Sequence, residues 1–154
     1  MSSNKELILR KIKEGTIIDH IPAGQALNLL KLMGITGREG FTVALVMNVE
    51  SKKLGKKDIV KIEGRFLSEE EVNKIALIAP SATVNIVREY KVAEKFQVEI
   101  PSEIVGILRC ANPNCVSNHE YTTPKFYVIS KEPLKVRCHY CERTMEEKEI
   151  LANL

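Results

Sequence analysis

The four cysteines of the chain are the residues whose types and spacing most directly indicate chemistry. They form two close pairs, Cys110 with Cys115 and Cys138 with Cys141. Each pair brackets a short turn, and two such turns can aim four thiolates at one Zn²⁺ ion, about 2.3 Å from each sulfur. Four protein ligands leave no position for a catalytic water. The spacing therefore predicts one structural zinc ion per chain.

Two disulfides, or unrelated buried thiols, would also account for these cysteines. The polar N-terminus has no signal-peptide pattern, and no apolar run approaches the roughly 18 residues of a membrane span. We therefore expect a cytoplasmic, reducing location, which favours metal over disulfides. His119 and His139 lie in the same region and could act as alternative ligands, although four thiolates already suffice.

The composition of the chain suits a compact protein of one domain or two small ones. It has 154 residues, of which 44% are apolar and 28% charged, and the net charge is +3. This small excess of positive charge permits an anionic ligand, but it does not by itself indicate nucleic-acid binding. The chain has no Trp and only 5% aromatic residues, a poor supply of base-stacking groups. We expect neither nucleic acid nor a membrane among its partners.

The first hundred residues follow the order β-α-β-β-α-β with one further strand. The predicted strands are residues 16–21, 41–49, 57–63, 82–88 and 90–98, and the predicted helices are 25–33 and 68–79. Ser68 and Glu71 form the sequence of a capping box at the start of the second helix. Residues 5–14 fit either an edge strand or a helix. The order predicts an α+β domain with the ferredoxin-like split βαβ, an antiparallel sheet with two helices on one face.

The remaining residues are predicted to form a small all-β domain around the cysteines. Short strands are expected at residues 104–109, 121–129, 134–137 and 145–150. About fifty residues of this kind bury little apolar surface, so the zinc ion is expected to supply folding energy. We place the boundary between residues 1–100, a ligand-binding domain, and residues 101–154, a zinc domain.

Several polar residues of the first domain share a predicted sheet. Asp19 and His20 interrupt an apolar strand, and Lys57 and Lys61 are four residues apart, so these two lysines share one face of a strand. With Lys95 they could hold a polyanion such as a triphosphate, and Asn85 and Tyr90 could contact a base or sugar. The alternatives are an ordinary salt bridge at Asp19 and a solvated face of lysines. No glycine-rich phosphate loop is present.

Catalysis has little support in the sequence. The serines and threonines lie in no nucleophile-elbow or triad context, and all cysteines are assigned to the metal. We therefore predict no catalytic residue and a chain that is not itself an enzyme.

The chain closely resembles the regulatory chains of aspartate carbamoyltransferase. The match is collinear over nearly the whole sequence. It is carried by Gly15–Ala23 (Gly-Thr-Ile-Ile-Asp-His-Ile-Pro-Ala), Gly55–Glu63, Phe66–Ser68, Ala79–Asn85 and the cysteines at 110, 115, 138 and 141.

The resemblance implies a non-catalytic subunit of pyrimidine biosynthesis. In this family an N-terminal allosteric domain binds nucleoside triphosphates, with CTP as inhibitor and ATP as activator. A C-terminal zinc domain docks on the catalytic chain. Homodimers of regulatory chains, paired through the sheet edges of their allosteric domains, bridge catalytic trimers.

The resemblance also assigns residues to an effector site. The backbone of Arg10, Lys11 and Ile12 would read the base, Asp19 would address the ribose, and His20 and Lys95 the phosphates. Lys57 and Lys61 would line the base and ribose side, and the wall would be completed by Asn85, Val87, Tyr90 and Val92.

Two further functions fit parts of the sequence. A nucleic-acid-binding zinc ribbon would use the aromatic and basic residues Tyr121, Lys125, Phe126, Tyr127 and Lys131. A small zinc enzyme would need an open coordination position, against which four thiolates argue.

Overall fold

The computed structural model describes residues 12–154, which fall into two compact units. The first unit ends at Val98 and the second begins at Glu99. Residues 5–11 of the element predicted at 5–14 lie outside the described residues, and its last residue, Glu14, begins the first strand. Among residues 12–154, no helix has the length and apolar character needed to cross a membrane.

The first unit is a five-stranded sheet with two helices. The strands run in the spatial order β2-β3-β1-β4-β5, and every neighbouring pair is antiparallel. In chain order the elements are β1 (Glu14–Pro22), α1 (Ala26–Leu32), β2 (Val43–Ser51), β3 (Gly55–Glu63), α2 (Glu69–Ile78), β4 (Thr83–Arg88) and β5 (Lys91–Gln97). This is the split βαβ order with one added edge strand, so the predicted fold of this unit is confirmed.

One face of the sheet carries the core of the unit. Alternate residues of the three central strands are buried on it, among them Ile18, Val60 and Val84. The helices contribute apolar residues to the same core, such as Leu29 from α1 and Ile75 from α2. The opposite face of the sheet, which we call the open face, holds the intervening, partly exposed residues.

The two helices begin in different ways. Ser68 Oγ accepts the Glu71 N–H at 3.2 Å and the Glu71 carboxylate accepts the Ser68 N–H at 3.2 Å, so the predicted capping box of α2 is confirmed. Helix α1 has no side-chain cap of its own at Gln25. Instead the buried carboxylate of Asp58, on β3, accepts the N–H groups of Gly24 and Ala26.

Gly15 in β1 is the glycine with the least room for a side chain. A Cβ atom there would lie 2.2 Å from the carbonyl oxygen of Ile62, and its φ is +151°. We expect Gly15→Ala to destabilise the unit by roughly 3 kcal/mol or more, because backbone strain and a backbone clash add. Chemical denaturation would measure this loss.

The control for that variant is Gly37→Ala. Gly37 also has a positive φ, +89°, but a Cβ atom there would meet nothing within 4 Å. Its replacement should cost about 1 kcal/mol, the strain of the backbone conformation alone. Equal losses of stability in the two variants would show that a side chain at Gly15 does not collide with the carbonyl of Ile62.

The second unit is a four-stranded sheet with one short helix. Its strands lie in the order β6-β7-β8-β9. They are β6 (Glu103–Val105), β7 (Lys125–Lys131), β8 (Leu134–Cys138) and β9 (Thr144–Glu146), followed by helix α3 (Glu147–Ala152), with a 3₁₀ turn at Val116–Asn118.

The sequence prediction was wrong in detail at three places in this unit. The strand expected at 104–109 ends at Val105, because Gly106 takes a positive φ of 78°. The strand expected at 121–129 begins only at Lys125, directly after Pro124. The strand expected at 145–150 is mostly helix α3, whose Glu-Lys-Glu start suits a helix and whose Ile150 is buried.

Candidate effector site and metal centre

The four cysteine sulfurs of the second unit converge on one point. All four Sγ atoms lie within 4.8 Å of one another. Sγ of Cys110 is 3.7 Å from that of Cys141, and Sγ of Cys115 is 3.7 Å from that of Cys138. A tetrahedron with 2.3 Å bonds has edges of about 3.8 Å, so these separations fit a structural zinc and are far too long for disulfides.

Hydrogen bonds hold the first pair of cysteines in its turn. The Cys115 N–H donates to the carbonyl of Asn112 at 3.0 Å. The amide of Asn118 donates to the carbonyls of Cys110 and Asn112, at 3.0 and 2.8 Å, and so ties the 3₁₀ turn to the first ligand. Asn118 was missed from the sequence, where nothing but its closeness to the cysteines signals this role.

The second pair lies in the turn between β8 and β9. The Cys138 N–H donates to the carbonyl of Arg143 at 2.9 Å, and the Glu142 N–H donates to the carbonyl of Cys138 at 3.1 Å. The Tyr140 N–H points at Cys138 Sγ, 3.4 Å away. Such N–H contacts stabilise a thiolate and orient it toward a metal.

The thiols differ in how readily they lose a proton. Burial raises the pKa of Cys110 to about 12, and burial also raises the pKa of Cys138. Burial pushes the pKa of Cys141 upward as well, but hydrogen bonds, from the backbone of Arg143 and the side chain of Asn112 among others, outweigh it and bring the pKa to about 7. A metal ion must therefore displace protons from the buried thiols when it binds.

Neither nearby histidine joins the cluster. Nε2 of His119 lies 2.6 Å from the carbonyl of Pro113, and Nδ1 of His139 lies 2.6 Å from the hydroxyl of Tyr127. Within the described residues, the metal-ligating group consists of the four cysteines alone. The predicted ligand set is the one that the geometry supports.

The first unit places most of the other predicted site residues on the open face of its sheet. One row of register partners crosses all five strands and consists of Ala44, Lys61, Ile17, Asn85 and Lys95. Register partners in an antiparallel pair project from the same face. Lys61, Asn85 and Lys95 therefore share this face, with Asn85 directly beside Lys95.

A bulge in β1 brings Asp19 and His20 to the same face. The register with β3 shifts between Ile18 and Ile21, so two residues of β1 oppose one of β3. His20 takes a positive φ of 58°, and its ring Nδ1 lies 3.2 Å from the hydroxyl of Thr83. Neighbouring residues of a regular strand project to opposite faces, and this bulge is what lets Asp19 and His20 share one face.

Lys57 completes this end of the site. Its ammonium lies 2.9 Å from the carboxylate of Asp19, and its side chain is only 18% exposed. Ser81 donates to the carbonyl of His20 at 2.8 Å. Ser81 and Thr83 were not predicted as site residues. We call Asp19, His20 and Lys57 the anion end of the site, because they put two basic groups beside one carboxylate.

The opposite end of the open face is more apolar. Val87 and Val92 are register partners; Val87 is buried and Val92 is exposed. Ile12 is buried, and Tyr90 lies in the turn between β4 and β5, its ring mostly exposed. Arg10 and Lys11, which the resemblance assigns to the base, lie outside the described residues.

Lys61 lies between these two ends. Burial lowers the pKa of Lys61, because removing its ammonium from water disfavours the charged form. An anion bound nearby would favour the charged ammonium of Lys61 and raise its pKa. The open face therefore has lysines, a histidine and an amide side chain at the anion end and in the centre. Its opposite end is an apolar surface.

Comparisons with known proteins agree on the family. Residues 7–99 match the model of the aspartate carbamoyltransferase regulatory chain, allosteric domain, and residues 102–151 match that of its metal binding domain. The aspartate carbamoyltransferase regulatory chains of Thermococcus onnurineus and Pyrococcus furiosus are 74% and 71% identical to this chain, and each match covers 97% of this chain and 99% of the relative. That of Thermofilum pendens is 62% identical over 96% of this chain and 94% of its own length. The chain belongs to the family of aspartate carbamoyltransferase regulatory chains, a family of regulatory rather than catalytic subunits.

Proposed function

We propose that the first unit, corresponding to our predicted domain 1–100, is an effector domain that binds CTP and ATP on the open face of its sheet. The observation that carries this proposal is the convergence of cationic and hydrogen-bonding groups from four strands on one face. The anion end would take the phosphates together with Lys95, and Lys61 and Asn85 would contact the ribose and base. Ile12, Val87, Tyr90 and Val92 would wall the base, with the backbone of Arg10 and Lys11.

This assignment places Lys57 differently from the expectation drawn from the resemblance. Lys57 was expected on the base and ribose side. Its ion pair with Asp19, next to His20, instead favours a role near the phosphates. Asp19 would then serve both the ribose and the orientation of Lys57.

Photo-crosslinking with 8-azido-ATP tests this location. We expect labelled peptides that include Ile12, residues 57–63 or residues 81–97, and we expect an excess of CTP to prevent the labelling. Label confined to residues 99–154, or label that CTP does not displace, would contradict an effector site on the open face.

We further propose that the second unit, predicted as domain 101–154, binds one Zn²⁺ and docks on the catalytic chain of aspartate carbamoyltransferase, so that regulatory chains bridge catalytic trimers. Large apolar side chains are more than a third exposed around its sheet and turns: Val105, Val116, Tyr121 and Ile129. Exposed apolar groups of this kind are typical of protein interfaces. A metal site made of four free cysteine thiols requires a reducing environment, which is consistent with a location in the cytoplasm.

A homodimer of this chain would form through the β2 edge of the sheet. Beside β2, the side chains of α1 and the following loop line an apolar groove of about 410 Å³, which includes Leu27, Leu30 and Leu45. Leu27 is 58% exposed. The other edge strand, β5, is exposed throughout and carries charged residues, a pattern that discourages pairing. A second copy pairing along β2 would cover the groove.

We expect Leu27→Glu to convert the dimer to the 17.4 kDa monomer at micromolar concentration. A charge in an apolar interface weakens association by roughly ten-fold or more, while an exposed residue is replaced without loss of folding. Sedimentation velocity would measure the change. Phe96→Glu on β5 is the matched control and should stay dimeric; the reverse pattern would move the interface to β5.

A further inference from the structure

Asp58 is a fully buried charged residue in the middle of the first unit. It lies on β3 between Lys57 and Ile59 and projects to the helix side of the sheet, opposite to Lys57. Its carboxylate accepts three backbone N–H groups. Oδ2 lies 2.9 Å from the nitrogen of Gly24 and 3.0 Å from that of Ala26, and Oδ1 lies 2.9 Å from that of Asn48.

The three donors belong to two segments that flank the anion end. Gly24 lies between β1 and helix α1, and Ala26 is the first residue of that helix. Asn48 lies in a bulge of β2, where the register shifts between Val46 and Val49, and its φ is 61°. One carboxylate thus ties the segment after β1 and the bulge of β2 to the first half of β3.

Asp58 also borders the bulge of β1 at Asp19 and His20. Ile21, the residue after His20, is the register partner of Asp58, and Pro22 is the partner of Lys57. The Asp19–His20 bulge is therefore held between two anchored pairs, Ile18 with Val60 and Ile21 with Asp58. The segment that Asp58 holds at Gly24 thus follows His20 by only four residues.

We propose that Asp58 is a positioning residue for the anion end of the effector site. It contacts no ligand. It holds the exit of β1 so that His20 and the Asp19–Lys57 pair keep the spacing that receives the phosphates. This inference rests on the proposed nucleotide site. It adds that the preference of that site for triphosphates depends on a residue outside it, Asp58.

Asp58→Asn is the direct test, with CTP and CMP as probes. The amide keeps the shape of the side chain but turns an NH₂ group toward backbone donors. We expect CTP binding to weaken by about ten-fold, the loss that follows when a charged contact is misplaced. CMP, which depends less on the anion end, should weaken by less than about three-fold.

Thr16→Val is the matched control. Thr16 is equally buried, lies on β1 near its other end, and donates one hydrogen bond to the carbonyl of Arg65 at 2.7 Å. Its loss should lower stability and leave the ratio of CTP to CMP affinity unchanged. If Asp58→Asn also keeps the wild-type ratio, the positioning role is wrong although the nucleotide site stands. If the wild-type chain binds no CTP, the proposed site itself fails and this inference with it.

Amide hydrogen exchange on the wild-type chain gives a test that needs no variant to fold. With saturating CTP, the amides of Gly24, Ala26 and Asn48 should exchange about ten-fold more slowly. A ligand bound at the anion end favours the conformation in which these three N–H groups are hydrogen-bonded to Asp58. Peptides from the second unit serve as the reference. Unchanged exchange at these three amides, with CTP bound, would overturn the proposal.

Discussion

Cys138→Ser should remove the metal and unfold the second unit. A serine hydroxyl is a poor zinc ligand, and the remaining three thiols lose an ion whose binding is worth on the order of 10 kcal/mol in small zinc modules. We expect zinc content to fall from one ion per chain to near zero, measured by release to a chromogenic chelator. Mixed with the catalytic chain, the variant should leave catalytic trimers free on gel filtration.

His119→Ala is the control for that variant. The ring of His119 lies beside the metal loop but contacts the carbonyl of Pro113, not a sulfur. This variant should retain one zinc ion and its complex with the catalytic chain. A Cys138→Ser chain that kept stoichiometric zinc would contradict the four-cysteine site, and a metal-free chain that still held the trimers together would contradict the role of zinc in docking.

Lys61→Ala should weaken CTP and ATP binding by about 10- to 100-fold, the range for removing a charged hydrogen-bonding partner from a partly buried site. Lys61 lies at the centre of the register row across the sheet, and burial already lowers its pKa. The phosphates of a nucleotide bound at the neighbouring anion end would raise this pKa again, because a nearby negative charge favours the ammonium form. Calorimetric titration of the folded variant would measure the change in affinity.

Lys52→Ala removes the same charge from the exposed turn between β2 and β3. Being far more solvated, Lys52 should contribute less than about two-fold to affinity at physiological salt. Equal losses in the two variants would indicate a diffuse electrostatic attraction rather than a defined contact at Lys61.

Periodicity in the sequence predicted much of the first unit. Lys57 and Lys61 are four residues apart in β3, which was enough to put them on one face. Alternation along β3 also places Asp58, an acidic residue, in step with Val60 and Ile62 on the buried side, but Asp58 was not predicted as a residue of interest. A buried carboxylate is tolerated there only because three backbone donors from distant segments meet it.

Other features depend on contacts that the sequence does not reveal. The bulge at Asp19 and His20 is set by pairing with β3 and β4 at once, and His20 adopts its positive φ only in that context. Helix α3 is a six-residue segment, too short for periodicity to separate helix from strand. The cysteine spacing, by contrast, predicted the metal cluster because its ligands are local pairs.

The nucleic-acid function considered from the sequence loses much of its basis in the structure. Phe126 is fully buried, and the hydroxyl of Tyr127 is bonded to His139. Of the three aromatic residues in that set, Tyr121 alone is fully exposed. Base stacking on this strand would therefore have little to build on.

The most direct test of the central claim is a calorimetric titration of the zinc-loaded chain with CTP and with ATP. An effector domain predicts saturable binding to one class of site, with the two nucleotides competing. Binding of neither nucleotide to a folded, zinc-loaded chain would contradict the assignment of the open face as an effector site.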